Sequence, residues 1–168
     1  MMKKQEEGFT LIELLIVIAI IAILAAVIFV ALDPLTRFQD SRDSSRWQEV
    51  AALSNAIQVD QVDNGGSYLT SIQNMTPGEI YMINDGSTST GCDAQNTVCD
   101  VNVASSSACA DLSGLVGEGY LGEVPVSPNG AGSWNGGISG YTIKASSTGA
   151  ITVQACESEN SSAIKIVR

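Results

Sequence analysis

Glu13 is the only ionisable side chain between Phe9 and Leu32. The 19 residues from Leu14 to Leu32 read LLIVIAIIAILAAVIFVAL, with no polar side chain among them. A charged group inside a bilayer costs roughly 2.5–3.5 kcal/mol on insertion scales, so this carboxylate calls for a partner. The run itself offers no Lys, Arg or His. The other residues with chemistry are Cys92, Cys99, Cys109 and Cys156. None forms a C-x-x-C pair, and their spacing suits neither zinc nor a thioredoxin-type site. An even number of cysteines after Gly65 instead predicts two disulfides made outside the cytoplasm. Four free thiols in a reducing compartment are the alternative, and the apolar run weighs against them.

The chain has 168 residues and no histidine, so Ser-His-Asp and Cys-His catalysis and every His-ligated metal site are excluded. Its formal charge is -10, from 8 Lys+Arg against 18 Asp+Glu, which disfavours binding to a phosphate backbone. Asn84-Asp85-Gly86-Ser87-Thr88-Ser89 lacks the ligand order of a calcium loop and reads as a plain turn. Asn74-Met75-Thr76 and Asn160-Ser161-Ser162 match a glycosylation acceptor by composition alone. No cofactor, metal or catalytic residue is expected.

The elements that hold these residues differ sharply along the chain. Between Phe9 and Asn64 there is no glycine, while every glycine other than Gly8 lies at Gly65 or later. Glycine costs about 1 kcal/mol in a helix interior relative to alanine, so a long helix is expected to feed a strand-and-loop region. At about 1.5 Å per residue the apolar run, extended to Phe9, is long enough to cross a hydrocarbon core of roughly 30 Å. A chain this small cannot surround a helix that is apolar on all sides. A signal peptide fits less well. The run exceeds the roughly 7–15 apolar residues usual there, and Ala31-Leu32-Asp33-Pro34 is a poor cleavage site.

After Asp33 and Pro34 the pattern turns amphipathic to about Asp63. Trp47, Val50, Leu53 and Ile57 share one face, and Asp33, Arg37, Asp40, Asp43 and Arg46 are spaced to pair along the helix (Asp33 with Arg37, Arg37 with Asp40, Asp43 with Arg46). Asn64-Gly65-Gly66 stops it. Beyond lie short alternating runs at Glu79–Ile83, Gly140–Ala145, Ala150–Ala155 and Ala163–Val167. Ser146-Ser147-Thr148-Gly149 reads as a hairpin turn, and Cys109–Val116 as a short helix. The expected fold is α+β: a long N-terminal helix, half membrane span and half packing spine, with a small antiparallel sheet as head. Its divisions are 1–8, 9–32, 33–64 and 65–168. Cys92–Cys99 with Cys109–Cys156 is the favoured pairing. The first closes a small loop, and the second ties the short helix to the strand ending at Ala155.

Lys3-Lys4-Gln5-Glu6-Glu7-Gly8-Phe9-Thr10-Leu11-Ile12-Glu13-Leu14 resembles the start of bacterial type IV pilins and type II secretion pseudopilins. A short basic leader, glycine before phenylalanine, Thr-Leu-Ile-Glu and an apolar run combine in it. The resemblance covers Met1 to about Tyr68 and implies a pilin-like fold. It implies that a prepilin peptidase cuts between Gly8 and Phe9 and that the new N-terminus, Phe9, is methylated. Residues 1–8 would then be a removed leader, and Glu13 the residue linked to subunit assembly. It also places the leader in the cytoplasm and the head outside a single-pass inner membrane anchor.

The function this implies is structural, not enzymatic. The subunit is expected to wait in the membrane and then to enter a homo-oligomeric helical filament, extracellular after assembly, with a pilus assembly platform and its ATPase machinery as further partners. The alternatives are a pseudopilin of a type II secretion system and a minor pilin for adhesion or DNA uptake. Nucleic acid is disfavoured as a partner, since the head has only Lys144, Lys165 and Arg168 as cations. A membrane-anchored enzyme finds no nucleophile–base pair to support it.

Overall fold

The computed structural model describes residues 8–168. The leader residues Met1–Glu7, with Lys3 and Lys4, lie outside the described residues. The chain divides into two compact units, Met1–Phe38 and Gln39–Arg168.

In the first unit, α1 covers Leu11–Leu32 and contains no buried residue. Within the helical stretch Leu11–Asp63 an 18-residue window reaches a mean hydropathy of 3.5, long and apolar enough to cross a membrane. Leu and Ala carry the helix; Val and Ile, which are weaker helix formers, are tolerated because no polar side chain competes for the backbone. Asp33 ends α1 in the left-handed region (φ 36°), rare for a residue with a side chain. Its carboxylate accepts from the Thr36 hydroxyl at 2.7 Å. Pro34 opens α2, Pro34–Asp63, at the helical position where a missing N–H costs nothing.

In the second unit the rest of α2 lies against a five-stranded sheet of order β2-β1-β3-β4-β5. The strands are β1 Ile80–Asn84, β2 Cys109–Asp111, β3 Tyr141–Ala145, β4 Ile151–Ala155 and β5 Lys165–Val167. Two short helices, α3 Thr70–Gln73 and α4 Ser113–Gly117, fill the connections. The β3–β4 hairpin turns through Ser146–Gly149 as expected: Ser146 N–H donates to the Ala150 carbonyl at 2.8 Å, and Gly149 takes φ 88°. Val50, Leu53 and Ile57 of α2 form one core with Ile83, Leu112, Leu115, Tyr141, Ile143, Ile151 and Val153. The opposite sheet face is covered near β1 by a second cluster of Met82, Cys92, Val103, Ala108, Trp134 and Cys156.

Three expectations change. The sheet is mixed, because β2 pairs parallel to β1 with Met82 opposite Cys109. Cys109–Asp111 is thus a strand, and the helix expected over Cys109–Val116 forms only from Ser113, running to Gly117. The cysteines join as Cys92–Cys109 and Cys99–Cys156, not as Cys92–Cys99 and Cys109–Cys156. The physical reason lies in the backbone. Cys92 N–H donates to the Ser106 carbonyl, which brings it beside the start of β2, and Asp100 N–H donates to the Cys156 carbonyl, which holds Cys99 next to the end of β4. Successive turns between them (Ala94 to Gly91, Val98 to Gln95) carry Cys92 and Cys99 to different partners.

Candidate functional site

The first site is the start of α1. Thr10 is its N-cap, with φ −78° and ψ 151°, and Glu13 is the third helical residue. The Glu13 backbone N–H donates to Thr10 Oγ1 at 3.3 Å, and Glu13 Oε2 accepts from the Thr10 N–H at 2.8 Å and from its hydroxyl at 2.7 Å. This reciprocal arrangement is a capping box, and it satisfies two donors that a helix start leaves open. Thr-x-x-Glu ahead of an apolar run is its sequence signature. Reading Glu13 only as a charge without a local partner misses it. A carboxylate in the first turn also sits favourably against the positive end of the helix dipole.

Gly8 and Phe9 precede the box as exposed chain outside any helix or strand. Phe9 is 90% exposed, and a side chain added at Gly8 would meet nothing within 4 Å. Among the described residues, none packs closely enough on Gly8 to require glycine there. After a cut at that bond the new amine would lie one residue before the cap and four before Glu13. The expected site residues Gly8, Phe9 and Glu13 thus lie in one exposed segment, while the four cysteines belong to the second unit.

Residues 3–29 match the prokaryotic N-terminal methylation motif. This is the prepilin-type signature of type IV pilins and pseudopilins. No curated protein and no solved structure matches the chain. The prepilin signature spans the leader, the cap and most of α1, and it points to a structural subunit type rather than to an enzyme. It implies processing by a prepilin peptidase and assembly into pilus-type filaments, and with α1 it is consistent with a single-pass inner membrane anchor.

The second arrangement of chemical interest lies in the second unit. Arg46 is fully buried. Its guanidinium donates to Asp43 Oδ1 at 2.8 Å, to Glu159 Oε1 at 2.9 Å, to Ser127 Oγ at 3.1 Å and to the Pro128 carbonyl at 3.0 Å, with Glu157 at 3.6 Å. Arg42 closes the cluster with a fork to Glu159. Glu157 in turn accepts from Gly132 N–H and from Trp134 Nε1–H, each at 3.2 Å. Burial alone would raise the Asp43 carboxyl, but the N–H groups of Asn160, Glu159 and Ser161, with Arg46, outweigh it and leave it below the usual range. Glu159 is also lowered, first by its hydrogen bond to Arg42. The fork geometry of arginine suits this shared, buried role as lysine would not. The cluster fixes the segment after β4 onto α2 and has no free group for catalysis. Among the described residues there is no group of His, Cys, Asp and Glu placed to hold a metal ion.

Proposed function

We infer that the protein is the structural subunit of a type IV pilus-like filament, held in the inner membrane by α1, cut between Gly8 and Phe9, methylated on Phe9 and then drawn into the filament. The observation that carries this reading is the continuity of the prepilin signature at residues 3–29 with α1, a 22-residue helix without a single buried residue. A helix exposed on every side needs either lipid or other helices around it. Packing against the α1 helices of neighbouring copies supplies the second, with apolar burial worth about 25 cal/mol per Å² once lipid is left behind. Contacts that repeat head to tail without closing give a fibre.

Glu13 is the assembly residue in this reading. Its carboxylate is turned back on Thr10. The amine that cleavage creates on Phe9 of the subunit already in place is the cation that exchanges with that contact. Methylation keeps the amine charged. Four cysteines in two disulfides suit a head folded outside the cytoplasm. Imaging cells with and without this chain tests the reading: surface filaments that vanish on deletion and return on complementation support it. A filament confined to the cell envelope and needed for protein secretion would assign the chain to the pseudopilins instead.

A further inference from the structure

The four lysines of the chain are Lys3, Lys4, Lys144 and Lys165, so a chain starting at Phe9 keeps two. The strand registers place both on one sheet face. Lys144 stands opposite Thr152, which stands opposite Val167, while Lys165 stands opposite Gln154, itself opposite Thr142. Side chains opposite each other share a face, as do residues two apart. That face is the one turned away from α2, since the alternate residues Tyr141, Ile143, Ile151 and Val153 enter the core with α2. Lys144 and Lys165 are exposed, and Val167 beside them is 58% exposed. The ion pairs among the described residues belong to Arg42 and Arg46 and leave both lysines unpaired.

Past the ends of β1 and β2, beside α4, lies a groove of about 430 Å³. Val116, Val124 and Val126 line it, and Asp85 and Glu123 stand at its rim. Both carboxylates are exposed and neither is in an ion pair among the described residues. An apolar floor with an acidic rim suits one side-chain type above others. Lysine lays four methylene groups along apolar surface and keeps its ammonium at the edge.

Resting on the filament reading above, we propose that the heads of successive subunits dock on one another, with Lys165 of β5 and Lys144 of β3 in one copy meeting the Asp85–Glu123 groove beside α4 of the next. The occupant is a second copy of this chain because the two surfaces complement each other in charge and in apolar content. They are also different surfaces, one past the ends of β1 and β2 beside α4 and the other on the face of β3–β5. The contact is therefore heterologous and can repeat along a filament without closing. Charge complementarity of this kind sets register and orientation more than bulk affinity.

The test uses the full chain in cells that assemble it. Lys165→Cys and Glu123→Cys, introduced together, should give a ladder of disulfide-linked multimers from sheared filaments on non-reducing gels, and each single variant should give none. The native cysteines do not compete, since all four are already paired. Lys144→Glu with Lys165→Glu should lower filament yield by about tenfold, and adding Asp85→Lys with Glu123→Lys should restore it. Abundant wild-type filaments without a ladder, or a charge reversal without effect on yield, would overturn this contact while leaving the filament reading in place. Absence of any wild-type filament would overturn the filament reading and this contact with it.

Discussion

Arg46 Nη1 lies 2.9 Å from Oε1 of Glu159, 113 residues further along the chain, and the arginine side chain is wholly out of water. A single guanidinium thus joins the middle of α2 to the loop after β4. Removing it leaves Asp43, Glu157 and Glu159 close together with Arg42 as the one cation paired to them among the described residues. Breaking a buried pair from one side costs about 3–5 kcal/mol. Arg46→Met should lower the melting temperature of the exported protein by about 10 °C, at the roughly 2–4 °C per kcal/mol usual for chains of this size. Circular dichroism of wild type and variant in the same detergent reads the shift directly.

The same cluster makes stability depend on acid. The Asp43 and Glu159 carboxyls sit below their usual values in the folded chain. Their contribution is therefore complete above the unfolded carboxylate range, near about pH 4, and is lost as pH falls through the folded values. The melting temperature should be flat down to about pH 5 and then drop. Asp43→Asn should be less stable at neutral pH and show a shallower drop, because one of the two linked carboxyls is gone. A parallel drop in both proteins would contradict the assignment.

Much of this is legible in the sequence, and the misses have physical causes. Leu14–Leu32 announces α1 by composition alone, and the Tyr141–Ala145 and Ile151–Ala155 alternation around Gly149 announces the hairpin. Cys109-Ala110-Asp111 announces nothing: a three-residue strand has no room for alternation, and its parallel partner β1 lies a long connection away. Spacing alone makes Trp47, Val50, Leu53 and Ile57 the face of α2. Its buried stripe runs instead from Asp43 and Arg46 through Val50, Leu53 and Ile57, and Trp47 is 41% exposed. Arg46 falls four residues before Val50, a full helical turn on the core side. Its charge disguises its place, because the carboxylates that make its burial possible come from residues 157 and 159 as well as from nearby Asp43. The Asp43–Arg46 pair is readable from its spacing along the helix, but its burial is not.

The disulfides give a third prediction. Cys99–Cys156 spans a sequence separation of 57 and Cys92–Cys109 one of 17. In the chain-entropy description the longer loop is worth about 4 kcal/mol and the shorter about 3 kcal/mol. Cys99→Ser with Cys156→Ser should therefore destabilise the head more than Cys92→Ser with Cys109→Ser. Non-reducing peptide mapping of the wild type should recover peptides joined as 92–109 and 99–156. Peptides joined as 92–99 would contradict this fold.

Glu13 separates helix capping from assembly. Thr10→Ala removes the cap hydroxyl but keeps the carboxylate, at a helix cost of about 1 kcal/mol, and should reduce filament yield only modestly. Glu13→Val removes the carboxylate itself. It should insert and be cleaved, yet assemble poorly when it is the sole subunit. Immunoblots of sheared and cell-bound fractions distinguish the two. Equal loss in both variants would mean that the cap, rather than the charge, is what assembly requires.

The most direct measurement is the intact mass of this protein taken from sheared surface filaments. The expected result is a chain that begins at Phe9, carries one methyl group on its amine and retains both disulfides. A filament-borne chain still carrying Met1–Gly8, or filaments from which this chain is absent, would contradict the filament reading.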